Sequence, residues 1–538
     1  MPASLPEHVA AGSTLRADVL IVGAGVAGLV TALDLLDLQP GARIAVLDKG
    51  TLGSTGSTPL AQGGMAAALG PGDSSALHAE DTLRAGDGLC DPAAVRVMAA
   101  EAPARIGDLV RRGARFDREG DGTLHLAREG AQSVARCVHA ADATGAEIFR
   151  TLRTAAAARV TRLQGIACEL IESPADAAPR ISGVWALLDA VDAAPSGPRQ
   201  EGGLVCLRAH AVVLATGGCG GLFALTTNRP GATADGVALA ARARAALIDL
   251  EFVQFHPTAL RTDEDGFGRL LLTEALRGAG AVLVDRHGRR FMPERHPDAE
   301  LAPRHVVTKA ILDHADGAWL DATHLGADRI AAEFPTAAHG LRHHGLDLAR
   351  EPVPVAPAQH YMIGGIATDL WGATSLPGLY AAGETACTGV HGANRMAGNS
   401  LAQACVVGHR IARTLAAAPP PRDTAFDPDP PTFARNGDPN AHALHDGLRR
   451  TMSAGAGPIR TGRTLDSSAR TLDDLAAAAG PAPAATRASV EVHQALQVAR
   501  TIVRAARLRE ESRGVHWRDD IPQRRVEWAG VRLRLGGH

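Results

Sequence analysis

The sequence predicts an α/β fold that begins with a strand–helix–strand unit, and three observations predict it. Val19 to Val22 form a short apolar run, which is typical of a strand covered on both faces of a parallel sheet. A glycine turn follows, and it leads into an apolar helical pattern that ends near residue 36. A second strand is predicted at residues 43–47, which completes a strand–helix–strand unit. The 538 residues suffice for two or three domains with a large core.

The turn after the first strand has the spacing GxGxxG, formed by Gly23, Gly25 and Gly28. The first glycine allows the sharp turn, the second leaves room for a pyrophosphate, and the third lets the helix pack on the strand. The helix N-terminus then directs its free N–H groups at the phosphates, and Asp48, about 20 residues later, can bind a ribose hydroxyl. Glycines also occur in ordinary turns, but this position between a strand and a helix favours a dinucleotide site. The predicted contacts are Gly23, Ala24, Gly25, Val26, Ala27, Gly28, Asp48 and Lys49.

Composition excludes several other classes of protein. The net charge of −3 gives no overall attraction to nucleic acid or to an anionic membrane. The seven cysteines are scattered without a CxxC pair, which argues against a disulfide framework and against an iron–sulfur or zinc site, so we expect no metal. No signal-peptide pattern precedes residue 18, and the apolar run after it is too short to span a bilayer. We therefore expect a cytoplasmic protein without nucleic-acid or membrane partners.

Short motifs interrupt the regular patterns further along the chain. The loop 49–64, KGTLGSTGSTPLAQGG, either is a flexible surface loop or lies against a flat ligand or a phosphate. The segment 125–145, HLAREGAQSVARCVHAADATG, carries several charges and ends in a helix predicted from Thr144. Short apolar strands alternate with turns between residues 160 and 215. Taken singly, the histidines and acids of such segments are usually structural or exposed to solvent.

The later motifs are more specific because they occur together. They are QFHPT (254–258), LLTEALRGAGAVLVD (271–285), APRH (302–305), QHYMIGG (359–365), GLYAAGETACTGVHGANRMAGNSL (378–401) and RLREESRGVHWRDDIP (507–522). With AQGG and HAADATG, they resemble, in order, the motifs of the succinate dehydrogenase and fumarate reductase flavoprotein family, which includes the L-aspartate oxidases. The resemblance covers residues 18–522, and its HAADATG and HGANRMA strings are more similar to the aspartate oxidases than to the respiratory dehydrogenases.

The resemblance implies that the chain binds FAD and that its AQGG loop wraps the isoalloxazine ring. Respiratory members of the family carry in this loop a histidine that bonds covalently to the flavin, and that position falls on Ser57. Because serine cannot supply the imidazole, the resemblance implies noncovalent FAD. The helix predicted at residues 401–414 would direct its N-terminus at the flavin. The further FAD contacts that carry over are Ser57, Thr58, Pro59, Leu60, Ala61, Gln62, Gly63, Gly64, Asp235, Glu384, Ser400 and Leu401.

Glu129 is the residue that points to an amino-acid substrate. It lies in the string HLAREG, and the resemblance places it against the substrate amino group. The chemistry agrees, because a desolvated ammonium needs a counter-charge and a carboxylate supplies one. Succinate and fumarate carry no ammonium, so a glutamate at this position would hinder their binding.

The other substrate residues also carry over by position. Thr273 can donate its hydroxyl proton to a carboxylate oxygen, whereas ionised Glu274 cannot, so we expect Glu274 to orient a neighbouring arginine or histidine. His256 in QFHPT, His360 in QHYMIGG and Arg395 in HGANR correspond to groups that bind the substrate carboxylates. The resemblance therefore implies a substrate site that contains Gln254, His256, Thr273, Glu274, His360 and Arg395.

Arg304, in the string APRH, falls on the arginine to which the family assigns proton transfer. Its pKa makes arginine a poor base, so that role is implied by the resemblance alone. An always-charged planar fork suited to a carboxylate follows from the side chain itself. The family has an acid at the next position, where this chain has His305. Because a histidine pairs poorly with an arginine, the surroundings of Arg304 are expected to differ from the family pattern.

The resemblance also implies the domain organisation. A Rossmann-like FAD-binding domain would be split in sequence (1–249 and 362–418), with an inserted α+β capping domain (250–361) between its parts. A proline-rich linker (419–440) would precede a C-terminal helical-bundle domain (441–538), whose clearest helical pattern spans 490–508. The active site would lie in the cleft between flavin and cap.

The expected reaction is FAD-dependent oxidation of L-aspartate to iminoaspartate, with O2 or fumarate as electron acceptor. By family analogy the product feeds quinolinate synthesis and NAD formation, which makes quinolinate synthase a possible partner. The nearest alternative is a soluble fumarate reductase or succinate dehydrogenase flavoprotein, against which Ser57 and Glu129 argue. A flavin-bearing RNA-modification protein is a second alternative, and the absence of a basic stripe argues against it.

Overall fold

The computed structural model describes residues 8–50, 56–173, 179–192, 198–262, 269–417, 427–434 and 440–537. The first part of the chain alternates strands with helices. Its strands are β1 (His8–Val9), β2 (Thr14–Val22), β3 (Ile44–Asp48), β4 (Met65–Ala66), β5 (Leu126–Ala127), β6 (Cys137–Val138), β7 (Thr161–Glu172), β8 (Ile181–Val191), β9 (Arg199–Leu214) and β10 (Leu247–Ile248). Its helices are α1 (Val26–Leu38), α2 (Ser75–Ala85), α3 (Pro92–Arg111), α4 (Thr144–Ala156) and α5 (Asp235–Arg242).

The middle part, residues 250–361, is followed by a return to strands and then by long helices. The middle elements are β11 (Val253–Leu260), α6 (Glu274–Gly278), β12 (Val282–Val284), α7 (Arg304–Leu312), β13 (Ala318–Asp321), α8 (Ala327–Glu333), α9 (Pro335–His343) and β14 (Val353–Met362). The last elements are β15 (Gly365–Ala367), β16 (Leu379–Ala381), β17 (Ala386–Cys387), α10 (Asn399–Ala417), α11 (Ala441–Gly455), β18 (Ile459–Arg460), α12 (Gly462–Ala479), α13 (Arg487–Leu508), β19 (Trp517–Arg518) and β20 (Arg534–Leu535).

The main sheet has seven strands in the order β1-β9-β2-β3-β7-β8, and β16 also pairs with β9. Its central strand β2 is covered on both faces, because Val19 and Ile21 pack in one core cluster and Leu20 and Val22 in another. Strand β16 pairs in parallel with the end of β9, so the chain returns to this sheet after the middle part. Helices α1 and α10 pack on each other and bring the glycine turn and the start of α10 to the same end of the sheet.

The middle part forms its own four-stranded sheet, in the order β11-β14-β13-β12 with all pairs antiparallel. A separate cluster of buried apolar residues, which includes Leu283, Val307 and Leu341, fills the space between this sheet and its helices. Helices α11, α12 and α13 pack on one another near the C-terminus, and α13 also packs on α5 and β7. None of the helices in the described ranges has the length and apolarity that a membrane crossing needs.

The structure corrects the sequence-based expectation for residues 160–215. We expected short strands there, but β7, β8 and β9 have 12, 11 and 16 residues and pair along their lengths. Gly165 and Gly183 lie inside β7 and β8, at close approaches of neighbouring backbone. A Cβ at Gly165 would lie 2.4 Å from the Leu187 oxygen, and one at Gly183 would lie 2.3 Å from the Leu207 oxygen.

Other predicted elements differ only at their ends. The strand predicted at 43–47 is Ile44–Asp48, the helix predicted at 401–414 is Asn399–Ala417, and the pattern at 490–508 is part of Arg487–Leu508. Helix α4 begins at Thr144 as predicted. Most of the predicted linker 419–440 lies outside the described residues.

Candidate active site

A large cavity lies where the main sheet, the middle part and the start of α10 meet, and it encloses about 1620 Å³ of empty space that includes some open solvent. Residues predicted for the cofactor and for the substrate share its wall. The predicted cofactor residues in the wall are Gly23, Ala24, Gly25, Val26, Ala27, Asp48, Lys49, Ser57, Thr58, Leu60, Ala61, Gln62, Gly63, Gly64, Asp235, Glu384, Ser400 and Leu401. The predicted substrate residues in the wall are Glu129, His256, Thr273, Glu274, Arg304, His360 and Arg395.

Three predicted site residues, Gly28, Pro59 and Gln254, lie outside the wall. Gly28 packs helix α1 on the turn, since a Cβ there would lie 2.1 Å from the Gly23 oxygen. Pro59 lies in the short 3₁₀ turn Thr58–Leu60, whose other two residues do face the cavity. Gln254 lies behind the wall and accepts hydrogen bonds from Arg304 and Arg395.

The glycine turn gives the cavity a backbone wall at one end. Gly23 has φ +108°, and a Cβ there would lie only 2.1 Å from the Ala215 oxygen. The start of helix α1 is joined to the AQGG loop, because the Thr58 hydroxyl accepts a hydrogen bond from the Val26 N–H at 3.2 Å. Backbone at this close range, at the start of helix α1, is what a pyrophosphate needs.

Lys49 joins this end of the cavity to the C-terminal helices. Its Nζ lies 2.8 Å from an Asp235 carboxylate oxygen and 3.0 Å from one of Glu491, on α13. Burial alone would lower the pKa of Lys49, but the two carboxylates outweigh it and raise the pKa, so the ammonium stays charged. Sequence reasoning named Lys49 and Asp235 but not Glu491, which lies in a helix without a site motif.

The AQGG loop lies against the start of α4 and against Asn228. The Gly145 N–H donates to the Ala61 oxygen at 2.8 Å, and a Cβ at Gly145 would lie 2.0 Å from the Thr58 oxygen. The Ser57 hydroxyl donates to the Asn228 amide oxygen at 2.5 Å.

The residues present fit FAD. Within the described residues, the buried Gln62 side-chain oxygen has no hydrogen-bond partner. An acceptor of this kind in the cavity wall suits a ligand that carries N–H or O–H donors, and FAD carries both. The glycine turn, Asp48 and the start of α10 supply the other features that a dinucleotide with a flavin ring requires.

At the opposite end, Gln254 holds two arginines side by side. Its amide oxygen accepts from Arg304 Nη1 at 3.1 Å and from Arg395 Nη1 at 3.2 Å, while its Nε2 donates to the Arg395 carbonyl at 2.9 Å. Burial, and then the charge of Arg304, lower the pKa of Arg395 to about 10. Among the described residues, Arg395 Nε has no hydrogen-bond partner. A buried guanidinium in this state fits an anionic ligand.

Glu274 contacts two arginines at the substrate end of the cavity. Arg304 Nε donates to Glu274 Oε2 at 2.6 Å, and Arg277 Nη2 lies 3.5 Å from the same oxygen. Burial would raise the pKa of Glu274, but the charges of the two guanidiniums outweigh burial and lower the pKa below its usual value, so the carboxylate is ionised. One carboxylate shared by two buried arginines, with Arg395 close by, leaves an excess of positive charge.

His256 and His360 are neutral donors or acceptors in this site. Their ring centroids lie 5.1 Å apart, and burial followed by the charge of Arg304 holds both pKa values well below the usual range. The Thr258 N–H donates to His256 Nδ1 at 3.3 Å, which places the proton of the neutral ring on Nε2. His360 Nδ1 pairs with the Thr227 hydroxyl at 2.8 Å.

Glu129 lies where the AQGG loop meets the substrate end. Its side chain is buried, with the residue 2% exposed, and its Oε1 accepts from the Gly64 N–H at 2.7 Å. Burial and the neighbouring Glu274 raise its pKa to about 6, against the lowering effect of the Gly64 N–H. A buried carboxylate whose pKa is raised in this way is well placed to receive a cation.

Several wall residues were missed from the sequence. Tyr361 follows His360 directly, and its ring lies 4.5 Å from the Arg395 guanidinium carbon, which positions that arginine by stacking. Thr227 and Asn228 belong to a TTN string that matched no quoted motif. His305, whose effect on Arg304 was in question, lines a separate small cavity with Lys309 and Trp517.

Comparison with known proteins gives consistent matches over nearly the whole chain. A family model described as FAD binding domain matches residues 18–401, and one described as fumarate reductase flavoprotein C-term matches residues 445–533. The chain is 46% identical to a curated L-aspartate oxidase of Streptomyces coelicolor, covering 96% of this chain and 90% of the relative. It is 44% identical to that of Caulobacter vibrioides, covering 94% and 93%. A solved structure of the E. coli quinol fumarate reductase flavoprotein, in a mutant form, aligns with a TM-score of 0.83 at 28% identity, covering 96% and 93%.

Proposed function

The chain belongs to the family of FAD-binding flavoproteins that contains L-aspartate oxidases and fumarate reductases, and we propose that it oxidises L-aspartate to iminoaspartate with FAD as cofactor. The observation that carries the proposal is the arrangement of charge at the substrate end of the cavity. Two arginines bound to one amide oxygen lie at this end, and the cavity wall also contains the buried carboxylate of Glu129, whose pKa is raised to about 6.

The substrate charges match these groups one by one. Arg395 and Arg304 would bind the two carboxylates, with hydrogen bonds from His256 Nε2, Thr273 and His360. Glu129 would bind the ammonium group. Holding all three charged groups fixes the α-carbon, and such positioning can contribute several kcal/mol to lowering a barrier.

FAD, when bound, supplies the acceptor for the hydride that leaves the α-carbon. Glu129 in its carboxylate form fixes the amino group, and the Glu274 carboxylate keeps Arg304 charged and directed at the cavity. The assignment of proton transfer to Arg304 stays a hypothesis, because the side chain is a poor base. In this proposal the middle part, residues 250–361, forms a cap over the cavity, and it is called the cap from here on.

Several finer predictions belong to this proposal. The flavin is noncovalent, because Ser57 replaces the flavin-linking histidine. O2 or fumarate accepts the electrons, and quinolinate synthase is a possible partner because it would use the product. A cytoplasmic location and the domain boundaries, 1–249 and 362–418 for FAD and 441–538 for the helical domain, stay predictions from the sequence.

A fumarate reductase or succinate dehydrogenase activity is the second candidate, and the similarity to the E. coli structure favours it. Glu129 separates the two functions. Above its pKa of about 6 Glu129 is an ionised, buried carboxylate, which is an unfavourable neighbour for a substrate that brings two carboxylates and no cation.

Anaerobic reduction of the purified holoenzyme tests the choice directly. The visible absorbance of the oxidised flavin is followed after addition of L-aspartate or of succinate. We expect faster bleaching by L-aspartate, and we expect Glu129→Gln to lose mainly this preference, while Glu294→Gln, at an exposed glutamate of the cap, keeps it. Bleaching by succinate alone would identify a dicarboxylate dehydrogenase, and bleaching by neither would show that the substrate residues were assigned incorrectly.

A further inference from the structure

Helix α9 of the cap begins without a capping side chain of its own. The residue before its first turn is Phe334, which makes no side-chain hydrogen bond to the helix N-terminus. The first N–H groups of any helix have no partner inside the helix, and a Ser, Thr, Asp or Asn at this position normally accepts from them. Since phenylalanine cannot do so, the acceptor must come from elsewhere.

Asp142, from the loop that leads into α4, supplies that acceptor. Its Oδ1 accepts from the Thr336 N–H at 2.9 Å, and its Oδ2 accepts from the Ala337 N–H at 2.8 Å. The residue is only 2% exposed. Both carboxylate oxygens therefore bind the helix N-terminus, where the positive end of the helix dipole also favours a negative charge. The two partners are 194 residues apart in the sequence, so this cap joins two parts of the molecule.

The loop that carries Asp142 is itself held in place and also contacts the AQGG loop. Ala141 has φ +42°, a conformation that L-residues rarely adopt, and its N–H donates to an Asp117 carboxylate oxygen at 2.7 Å. Three residues after Asp142, the Gly145 N–H donates to the Ala61 oxygen. One short loop thus contacts both the cap and the wall of the cofactor cavity.

The covalent connections of the cap explain why a further attachment matters. The chain enters and leaves the cap at neighbouring positions, because Val253 pairs with Met362 and the Ile363 N–H donates to the Phe252 oxygen at 3.0 Å. Connections that lie side by side allow a hinge motion about them. Helix α9 lies away from these covalent connections in the sequence, and it meets the FAD-binding part of the molecule through non-covalent contacts.

We propose that Asp142 is a positioning residue that holds the cap over the active-site cavity by capping helix α9 from the FAD-binding part of the molecule. The proposal uses the cap and flavin site of the proposed function, but it does not depend on which dicarboxylate is the substrate. Loss of the Asp142 carboxylate then favours more open positions of the cap, which expose the flavin and weaken the binding of any substrate that the cap must enclose.

The test uses the FAD-loaded enzyme with Asp142→Ala and Asp142→Asn. Asp91→Ala is the matched control, because Asp91 accepts from Ala93 N–H and Ala94 N–H at the start of α3 by local contacts. The measurements are hydrogen exchange of the α9 amides, quenching of flavin fluorescence by iodide, and the separate values of kcat and KM. Flavin content of the wild-type protein and its reduction by L-aspartate and by succinate are checked first, so that failure of the proposed function is recognised independently, and KM is then measured with the dicarboxylate that reduces the flavin.

For Asp142→Ala we expect faster exchange at the start of α9, stronger quenching, and a KM raised about tenfold with kcat changed less, as loss of an N-cap would produce. Asp142→Asn keeps one acceptor oxygen and should lie between this variant and the wild type. Asp91→Ala should speed exchange in α3 alone. Wild-type quenching and KM in either Asp142 variant would overturn the proposal, and so would equal changes in Asp91→Ala. If Asp142→Ala does not fold, Asp142→Asn decides.

Discussion

The two ends of the cavity are built by different means. The cofactor end is built on the backbone of the glycine turn, in which Gly23 and Gly25 allow close approach, together with residues 56–64 and the start of α10. The substrate end consists of side chains from strand β11, helices α6 and α7, strand β14 and the segment before α10, which are joined by charged hydrogen bonds. A change at the first end should therefore act through shape, whereas a change at the second should act through charge and orientation.

Substitution of Gly23 by alanine should give the largest effect. The new Cβ would lie 2.1 Å from a backbone oxygen at φ +108°, so the turn must move, at a cost of about 3 kcal/mol or more in unfolding free energy. We expect near-complete loss of bound flavin, measured as flavin per chain. Gly41→Ala is the control, because a Cβ there meets nothing within 4 Å. A Gly23→Ala protein with full flavin content would refute the assignment of this turn.

Arg304→Met should leave the cofactor end of the cavity intact and impair substrate binding and turnover at the substrate end. Glu274 would lose its closest guanidinium, and the site would lose a group for a substrate carboxylate. We expect kcat/KM for L-aspartate to fall by about 10²- to 10³-fold at unchanged flavin content. Arg329→Met removes an exposed arginine that pairs with Glu333, and it should leave kcat/KM unchanged. Parallel loss of flavin would contradict the separation of the two ends.

The same contrast explains how much could be predicted from the sequence. The strand, the glycine turn and helix α1 were predictable because their determinants are neighbours in the chain. The pairing of Lys49 with Glu491, the stack of Arg395 on Tyr361 and the cap of α9 by Asp142 were not, because they join residues that are distant in sequence or carry no pattern. Gln254 was named only by resemblance, and its contact with both arginines required the fold.

Gln254→Leu tests whether orientation of the arginines matters apart from their charge. The variant removes the shared acceptor of Arg304 and Arg395 but keeps both charges. Hydrogen bonds to charged groups contribute about 1.5–3 kcal/mol, so we expect KM for L-aspartate to rise about 10- to 100-fold. Gln494→Leu is a matched control, since this buried glutamine donates to the Ala167 oxygen away from the arginines. Equal changes in both variants would indicate a general loss of packing instead.

The pH profile isolates Glu129. Burial raises its pKa to about 6, so the carboxylate that we propose binds the ammonium group is lost as the pH falls through this value. We expect kcat/KM for L-aspartate to fall about tenfold per pH unit below 6 and to level off above it. In Glu129→Gln this acid limb should disappear from an already reduced rate. If the limb persists in the variant, another group is responsible for it.

Ser57 lies in the cavity wall and should show the smallest effect. Its hydroxyl donates to Asn228 at 2.5 Å, and such a bond contributes about 0.5–1.5 kcal/mol, so Ser57→Ala should weaken flavin binding by about 2- to 10-fold. Because no imidazole is present at this position to form a covalent bond, denaturation of the wild type and of the variant should release all flavin into the supernatant. Ser57→Thr keeps the hydroxyl and should bind flavin like the wild type. Flavin that stays with the denatured chain would mean that another side chain forms a covalent link, and the prediction of noncovalent flavin from Ser57 would then be wrong.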